Sequence, residues 1–179
     1  MKFFLAIAAV FALPNYHYTP AAISDGHVIT LQSDSGKFLG RCNNCFVGGV
    51  CSDSAFVHVD DPNNAPWARW TVKDMQNGKY ALQADTGKFL ARCSDCVPNA
   101  VDLDSAFVHI DDPTYAPYAQ FTVKQLDNGK ISFLFDNGKF LTRCHDCAAN
   151  AAYPDQAFVH VANDAEPWAQ WNVAVFTPY

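Results

Sequence analysis

Three copies of one motif set the organisation of this chain of 179 residues. The sequence GKFLGRCNNC begins at Gly36, GKFLARCSDC at Gly87 and GKFLTRCHDC at Gly138, so successive copies are 51 residues apart. Later in each unit SAFVH, SAFVH and QAFVH recur, and each unit closes on an aromatic residue: Trp70, Phe121 and Trp171. A fixed period of this size indicates one supersecondary unit repeated three times.

Within each unit the signals are those of short β-strands. Apolar runs end at DSGK, DTGK and DNGK, where Asp or Asn followed by Gly favours the positive φ of a tight hairpin turn. In the first unit we predict strands over 28–33, 37–42, 55–60 and 68–73, with a long loop before the third. The chain is therefore predicted to be all-β, with twelve short strands and no helix.

Three units of four strands match the plan of a β-trefoil, in which six strands form a closed barrel capped by three hairpins. The LQS-x-x-GKFL phrasing, followed later by an aromatic-Thr-Val strand, resembles the fascin-like (actin-crosslinking-like) branch of the β-trefoil superfamily. That resemblance implies pseudo-three-fold symmetry, with repeats over 26–76, 77–127 and 128–175. The Gln-x-Trp signature of ricin-B-like trefoil lectins is absent, because Gln120 and Gln170 directly precede their aromatic neighbours.

The N-terminus has the pattern of an export signal. MKFFLAIAAVFA contains one Lys, an apolar run too short to span a bilayer and then small residues, which predicts a signal peptide over 1–12. A buried N-terminal strand is the alternative. Residues 13–25 contain two prolines without periodicity and are predicted to form an irregular arm before the trefoil at 26–179. We therefore expect a secreted, extracellular protein without a membrane span.

Composition limits the classes of function. Half of the residues are apolar and 17% are charged, which is typical of a globular chain, and the net charge of −6 argues against nucleic acid as a partner. No Gly-rich phosphate loop or zinc-protease motif occurs. The repeated serine before Ala-Phe-Val-His becomes Gln156 in the third copy, so it is a poor candidate nucleophile. We expect a binding or structural protein, not an enzyme, and no cofactor.

Seven cysteines admit three interpretations of the Cys-x-x-Cys motif. A zinc site requires four converging ligands, and a redox pair usually lies at a helix N-terminus; a secreted chain favours local disulfides. We predict the pairs Cys42–Cys45, Cys93–Cys96 and Cys144–Cys147. Cys51 has no counterpart, so it is a buried free thiol, a link to another chain or a partner in exchange within the first unit.

Two other residue types recur strictly. The histidines either form a metal site on the three-fold axis or, as we favour, pack beside phenylalanines and bond backbone carbonyls. The arginines either clamp a ligand or, as we favour, pair with the acidic loops at 60–61 and 111–112. The residues concerned are His58, His109 and His160, and Arg41, Arg92 and Arg143.

A third recurring pattern has the chemistry of sugar recognition. After its third strand each unit has acids or amides, a proline and an aromatic residue, which offer hydroxyl-binding oxygens and a ring face for the apolar side of a pyranose. Turn formation and barrel packing are the competing explanations. The predicted ligand-binding pairs are Asp60 with Trp67, Asp111 with Tyr118, and Asp164 with Trp168.

Three functions remain open on this evidence. The first is a lectin-like protein that binds a carbohydrate or glycoprotein surface multivalently. The second is a structural protein that self-assembles into an extracellular coat, matrix or fibre through Cys51 and the N-terminal arm. The third is a protease inhibitor of the soybean-Kunitz type, against which the symmetry argues, because inhibition needs one special loop.

Overall fold

A computed structural model describes residues 23–177. The predicted signal peptide over 1–12 and most of the predicted arm over 13–25 therefore lie outside the described residues. The end of the arm is described, and Ile23 is buried against the main core. No helix within 23–177 is long and apolar enough to cross a membrane.

The all-β prediction is confirmed, with twelve strands in chain order. The strands are β1 (Val28–Gln32), β2 (Phe38–Asn43), β3 (Asp53–Val59), β4 (Trp70–Asp74), β5 (Tyr80–Gln83), β6 (Phe89–Ser94), β7 (Asp104–Ile110), β8 (Thr122–Gln125), β9 (Ile131–Leu134), β10 (Phe140–His145), β11 (Asp155–Val161) and β12 (Asn172–Val175).

The prediction that no helix occurs was wrong in one respect, because four single 3-10 turns precede the closing strands within residues 23–177. Each begins with proline, whose fixed φ suits the first helical position. Three residues are too few to produce a periodic sequence pattern, which is why the sequence did not indicate them. The turns are Pro66–Ala68, Pro113–Tyr115, Pro117–Ala119 and Pro167–Ala169.

Strand pairing closes a β-barrel. β1 pairs with β12 and with β4, β4 with β5, and β8 with β9, all antiparallel. Two isolated bridges, Tyr80 to Phe121 and Ile131 to Trp171, join the remaining neighbours. Because the ring is closed, the barrel leaves no long unpaired edge that could recruit another chain.

Three hairpins lie outside this ring, and they are related by the sequence repeat. β2 pairs with β3, β6 with β7 and β10 with β11, and each hairpin has a register shift at the start of its first strand. The second strands of the three hairpins also pair with one another, so β3, β7 and β11 meet at one end of the barrel.

The leucines of the repeated GKFL motif and the aromatic residues that close the units are buried, as expected of a barrel core. Leu39, Leu90 and Leu141 are 0% exposed, and the aromatic residues that close the units are at most 1% exposed. The indole nitrogens of Trp70 and Trp171 each donate a hydrogen bond of 3.0 Å to the carbonyl oxygen of the leucine in their own unit. The large rings therefore fill the barrel without leaving an unsatisfied donor.

Candidate functional site

The three predicted disulfides are present, and they border a second apolar cluster. At its centre are Phe56, Phe107 and Phe158, one from each hairpin and each 0% exposed. Phe46, from the first long loop, contacts all three rings at centroid distances of 4.6, 5.7 and 6.4 Å. Each disulfide thus fixes the start of one long loop, and the loops then cover this cluster.

The long loops are joined in a ring of backbone hydrogen bonds. The amide of Val50 donates to Cys96 O at 3.0 Å, and that of Val101 donates to Cys147 O at 2.8 Å. The equivalent amide of the third loop, at Ala152, donates to Cys45 O at 2.8 Å. Each loop is therefore fixed against the next repeat, and residues of the third loop reach the surface of the first repeat.

Cys51 is the one cysteine within residues 23–177 that forms no disulfide. It is partly buried and packs against the phenylalanine cluster. Of the three interpretations, this placement agrees best with a free thiol, although the thiol is only partly buried.

Alkylation of the native protein should modify Cys51 alone, because the other six cysteines are paired. Mass spectrometry should show one iodoacetamide adduct before reduction and seven after reduction and unfolding. The outcome against this prediction is more than one adduct in unreduced material, or zinc bound in stoichiometric amount.

Three equivalent clefts lie beside the hairpins. Each is lined by an arginine and a cysteine from the first hairpin strand, a histidine from the second and the aromatic residue of a 3-10 turn. Their volumes are about 540, 300 and 250 Å³ in chain order. The lining sets are Arg41, Cys42, His58 and Trp67; Arg92, Cys93, His109 and Tyr118; and Arg143, Cys144, His160 and Trp168.

The arginines are held in ion pairs, but not with the acidic loops that the sequence suggested. In the first unit Arg41 donates from Nη1 to Asp53 at 2.9 Å, and from Nε and Nη2 to the two carboxylate oxygens of Asp85 at 2.7 and 2.9 Å. Asp85 belongs to the DTGK turn of the second unit. The same arrangement recurs as Arg92 with Asp104 and Asp136, and Arg143 with Asp155 and Asp34.

This geometry makes the arginines structural. The paired carboxylates hold the pKa of each guanidinium above its usual value, and hydrogen bonding to Arg143 lowers the pKa of Asp34. The bonds from Arg41 to Asp85 lower the pKa of that carboxyl in the same way. Because the guanidinium N–H groups already donate to two carboxylates, few donors remain to bind a ligand.

The histidines line separate clefts and do not converge on the three-fold axis. Nδ1 of His58 lies 3.3 Å from the carbonyl oxygen of Phe56, as the favoured interpretation required, but Nδ1 of His160 instead lies 2.7 Å from Thr142 Oγ1. Burial lowers the pKa of all three histidines, which favours neutral rings near pH 7. Within residues 23–177 no group of three or more His, Cys, Asp or Glu side chains could hold a metal ion.

The aromatic members of the predicted pairs all line clefts, whereas the acids differ. Trp67, Tyr118 and Trp168 are 37%, 36% and 36% exposed. Asp60 lines the first cleft together with Trp67 and pairs with Lys37 at 2.9 Å. The structure therefore brings one complete predicted pair to one cleft.

The other two acids do not line the clefts that contain the rings assigned to them. Asp111 pairs with Lys88 at 3.0 Å and does not line the second cleft. Asp164 pairs with Lys124 and does not line the third cleft. In the third repeat the position equivalent to Asp60 is Ala162, so the repeat pattern itself has lost that acid.

Two features of the first cleft were not among the predicted site residues. Tyr153, from the third long loop, lines the first cleft, and its ring lies 4.8 Å from that of His58. Gly40, on β2, lies behind the lining residues, where a side chain would come so close to His58 and Trp67 that they would have to move. The replacement of Gly40 by Ala91 and Thr142 in the other copies was the available signal for the second feature.

Comparison with known proteins identifies the fold and no more. No protein-family model matches the chain, and no curated protein matches its sequence. Among solved structures, the chain is similar to a Culex salivary protein of the Cysteine and Tryptophan-Rich (CWRC) family, with a TM-score of 0.61 and 10% identity over 87% of this chain and 98% of that one.

Two further structures share the fold. The designed 3-fold symmetric protein ThreeFoil gives a TM-score of 0.57 at 16% identity, covering 83% of this chain and 99% of that chain. A mosquitocidal holotoxin gives a TM-score of 0.59 at 10% identity over 87% of this chain. The match spans only 18% of the holotoxin chain. Together these similarities place the chain among all-β proteins with a closed barrel.

Proposed function

We propose that this chain is a secreted β-trefoil protein that binds carbohydrate through surface clefts, one in each repeat. The observation that carries the proposal is the recurrence of a partly exposed aromatic ring in an open cleft with hydrogen-bonding side chains. An apolar face with a few placed polar groups is what small-ligand recognition requires. The ring contacts the C–H face of a pyranose while polar atoms bond its hydroxyl groups.

Strand pairing supports the trefoil part of the proposal. The closed ring takes two strands from each repeat, and the remaining two form that repeat's hairpin. Similarity to a designed protein with three-fold symmetry agrees with this plan.

The disulfides support the proposal that the protein is secreted. Three disulfides within one small domain are stable in oxidising compartments and rare in the cytosol. The similarity to a salivary protein is compatible with the same assignment.

A binding role, rather than catalysis, is supported by what the repeated polar residues do. The hydroxyl of Ser54 donates to Cys42 O at 3.2 Å, and Ser105 makes the equivalent bond to Cys93 O. Gln156, which replaces them in the third unit, bonds the backbone of Ala148. The two serine hydroxyls thus join the two strands of their own hairpins, and Gln156 joins its hairpin to the preceding loop; none of these hydrogen bonds involves a base.

A glycan array tests the proposal. We expect wild type to bind at least one glycan class, and the triple variant Trp67→Ala, Tyr118→Ala, Trp168→Ala to lose that binding, because each cleft loses its ring. The matched control is Tyr115→Ala, which removes a ring that is 91% exposed and lies outside the three clefts. Both variants should keep the wild-type circular dichroism spectrum. Absence of binding to every glycan by wild type would reject the function.

Self-assembly is the second candidate, and one observation favours it. Val47, Val50, Val101 and Leu103, on the first two long loops, are between 60% and 76% exposed, and the first two are close in sequence to the free thiol of Cys51. Size-exclusion chromatography with and without reductant separates the two functions. A large, reductant-sensitive assembly that binds no glycan would favour the structural role, and a glycan-binding monomer would favour the lectin.

A further inference from the structure

We infer that the three clefts are unequal, and that the first is the principal binding site, selective for pyranose residues without an acidic group. The inference rests on the proposed function and deepens it. Two residues that the other repeats lack shape this site: Gly40, which lies behind the lining residues His58 and Trp67, and Tyr153, which forms part of the wall. A third feature, the charge around the cleft, limits the class of sugar.

The positions of three lining residues of the first cleft depend on the absence of a side chain at position 40. A Cβ at Gly40 would lie 3.1 Å from His58 Cε1, 3.1 Å from Val59 Cγ2 and 3.2 Å from Trp67 Cδ1. The backbone of Gly40 is not in the left-handed region, so turn geometry does not require glycine here. Glycine instead lets the histidine and the tryptophan approach the strand and keeps the cleft open.

Equivalent positions in the other clefts carry side chains. Ala91 places a methyl group in the second repeat. In the third, Thr142 Oγ1 lies 2.7 Å from His160 Nδ1 and also donates to Phe158 O at 3.0 Å. That threonine fills space and occupies a ring nitrogen of the cleft histidine, which agrees with the smaller volume of the third cleft.

The wall of the first cleft comes from another repeat. Tyr153 packs against His58 with an interplanar angle of 31°, and it remains 42% exposed. Its loop is fixed there by the hydrogen bond from Ala152 to Cys45 and by the bridge between Phe46 and Ala151. The first cleft thus presents the rings of Trp67 and Tyr153 together, supported by His58.

The other clefts have no aromatic residue at the position of Tyr153. The equivalent residues are Cys51 and Asp102. Asp102 lies close enough to the third cleft to influence its histidine electrostatically, and it pairs with Lys139 at 3.8 Å. A second ring face is therefore specific to the first cleft.

Charge at the first cleft disfavours acidic sugars. Arg41 is shared between two carboxylates, so this cluster carries a net charge of −1. Asp60 is balanced by Lys37, whereas Asp61 bonds only to its own loop, at Asn63 and Asn64. A uronic or sialic acid would meet net negative charge with no free guanidinium, whereas hydroxyl groups can donate to these carboxylates.

Titration calorimetry with neutral hexose and N-acetylhexosamine oligosaccharides, against uronic-acid oligosaccharides, tests the inference. Wild type should show one dominant site per chain for a neutral sugar and weaker binding of the acidic series. Gly40→Thr should weaken the dominant site about tenfold or more, as expected when extra carbon atoms enter a pocket. Tyr153→Ala should weaken it as well, and because that side chain is exposed the variant should fold normally.

The matched control is Tyr115→Ala, which removes a ring that is 91% exposed and lies outside the three clefts, and which should leave the dominant site unchanged. Three equal sites, equal losses in Trp67→Ala and Trp168→Ala, or preference for uronic-acid oligosaccharides would each overturn the inference while leaving carbohydrate binding intact. Failure of wild type to bind any of these sugars would instead reject the proposed function, and this inference with it.

Discussion

Replacing Leu90 with alanine is expected to lower the free energy of unfolding by about 2–5 kcal/mol. Leu90 is 0% exposed and belongs to the barrel core, among the leucines and large aromatic rings of all three repeats. Truncation removes buried methyl groups and leaves a cavity between rings that the closed barrel holds in place. Because the surrounding strands are hydrogen-bonded to neighbours, they can move only partly into this cavity.

Urea denaturation followed by circular dichroism measures this effect. Val101→Ala is the matched control, because that side chain is apolar but 76% exposed, and it should change stability by less than about 0.5 kcal/mol. Leu39→Ala and Leu141→Ala should resemble Leu90→Ala, since the three leucines are equally buried. A loss below about 1 kcal/mol for Leu90→Ala would contradict the placement of these residues in one core.

Local patterning explains why strands and core could be predicted. The turn signals at DSGK, DTGK and DNGK mark where strands end. The apolar runs between these turns are too short for typical helices, so they are best explained as strands. In the first unit, predicted and observed strands differ by two residues or fewer at every end. The three copies also support one another, because an error in assigning one strand would have to occur at the corresponding position of every copy.

Relations between repeats could not be predicted in the same way. A period states which residues are equivalent but not which neighbour each one contacts. Arg41 bonds Asp85, 44 residues away, and Arg143 bonds Asp34, 109 residues away. Only the closed order of the barrel places these turns beside those arginines. Tyr153 reaches the first cleft for the same reason.

The sequence repeat also suggested that the three clefts are more alike than they are. Asp60 and Asp111 each pair with a lysine of their own hairpin, but only Asp60 lines a cleft. A difference as small as that between Gly40 and Ala91 affects the lining of the cleft, because a Cβ at position 40 would lie 3.1 Å from His58 Cε1. Similarity between the repeats therefore predicts the shared backbone better than it predicts the shape of each cleft.

The arginines connect each repeat to the next and so close the domain electrostatically as well as by strand pairing. Each guanidinium bridges a hairpin strand of its own unit and the first turn of the following unit, and the third returns to the first. The pairs are largely buried, with exposed side-chain fractions of 16% for Arg143 and 18% for Asp34. Such pairs are costly to break, since the remaining carboxylates lose their partner in a partly desolvated site.

Arg143→Gln should therefore lower the free energy of unfolding at pH 7 by about 2–3 kcal/mol. Lys37→Gln is the control, because its pair with Asp60 is 43% and 82% exposed and should contribute at most about 1 kcal/mol. The Arg143 bonds lower the pKa of Asp34 in the folded state. That stabilisation is complete above the unfolded pKa of about 3.9 and is lost as the pH falls through the lower folded pKa.

The difference between wild type and Arg143→Gln should therefore be constant near neutral pH and shrink progressively once the pH falls below about 4. Urea unfolding of both proteins across this range measures it, with the Lys37→Gln curve as reference. Arg143→Lys should recover only part of the loss, because an ammonium group cannot bond both oxygens of Asp34 in the planar fork while also reaching Asp155. A loss no larger than that of Lys37→Gln, or one that persists unchanged in acid, would show that strand pairing alone closes the ring of repeats.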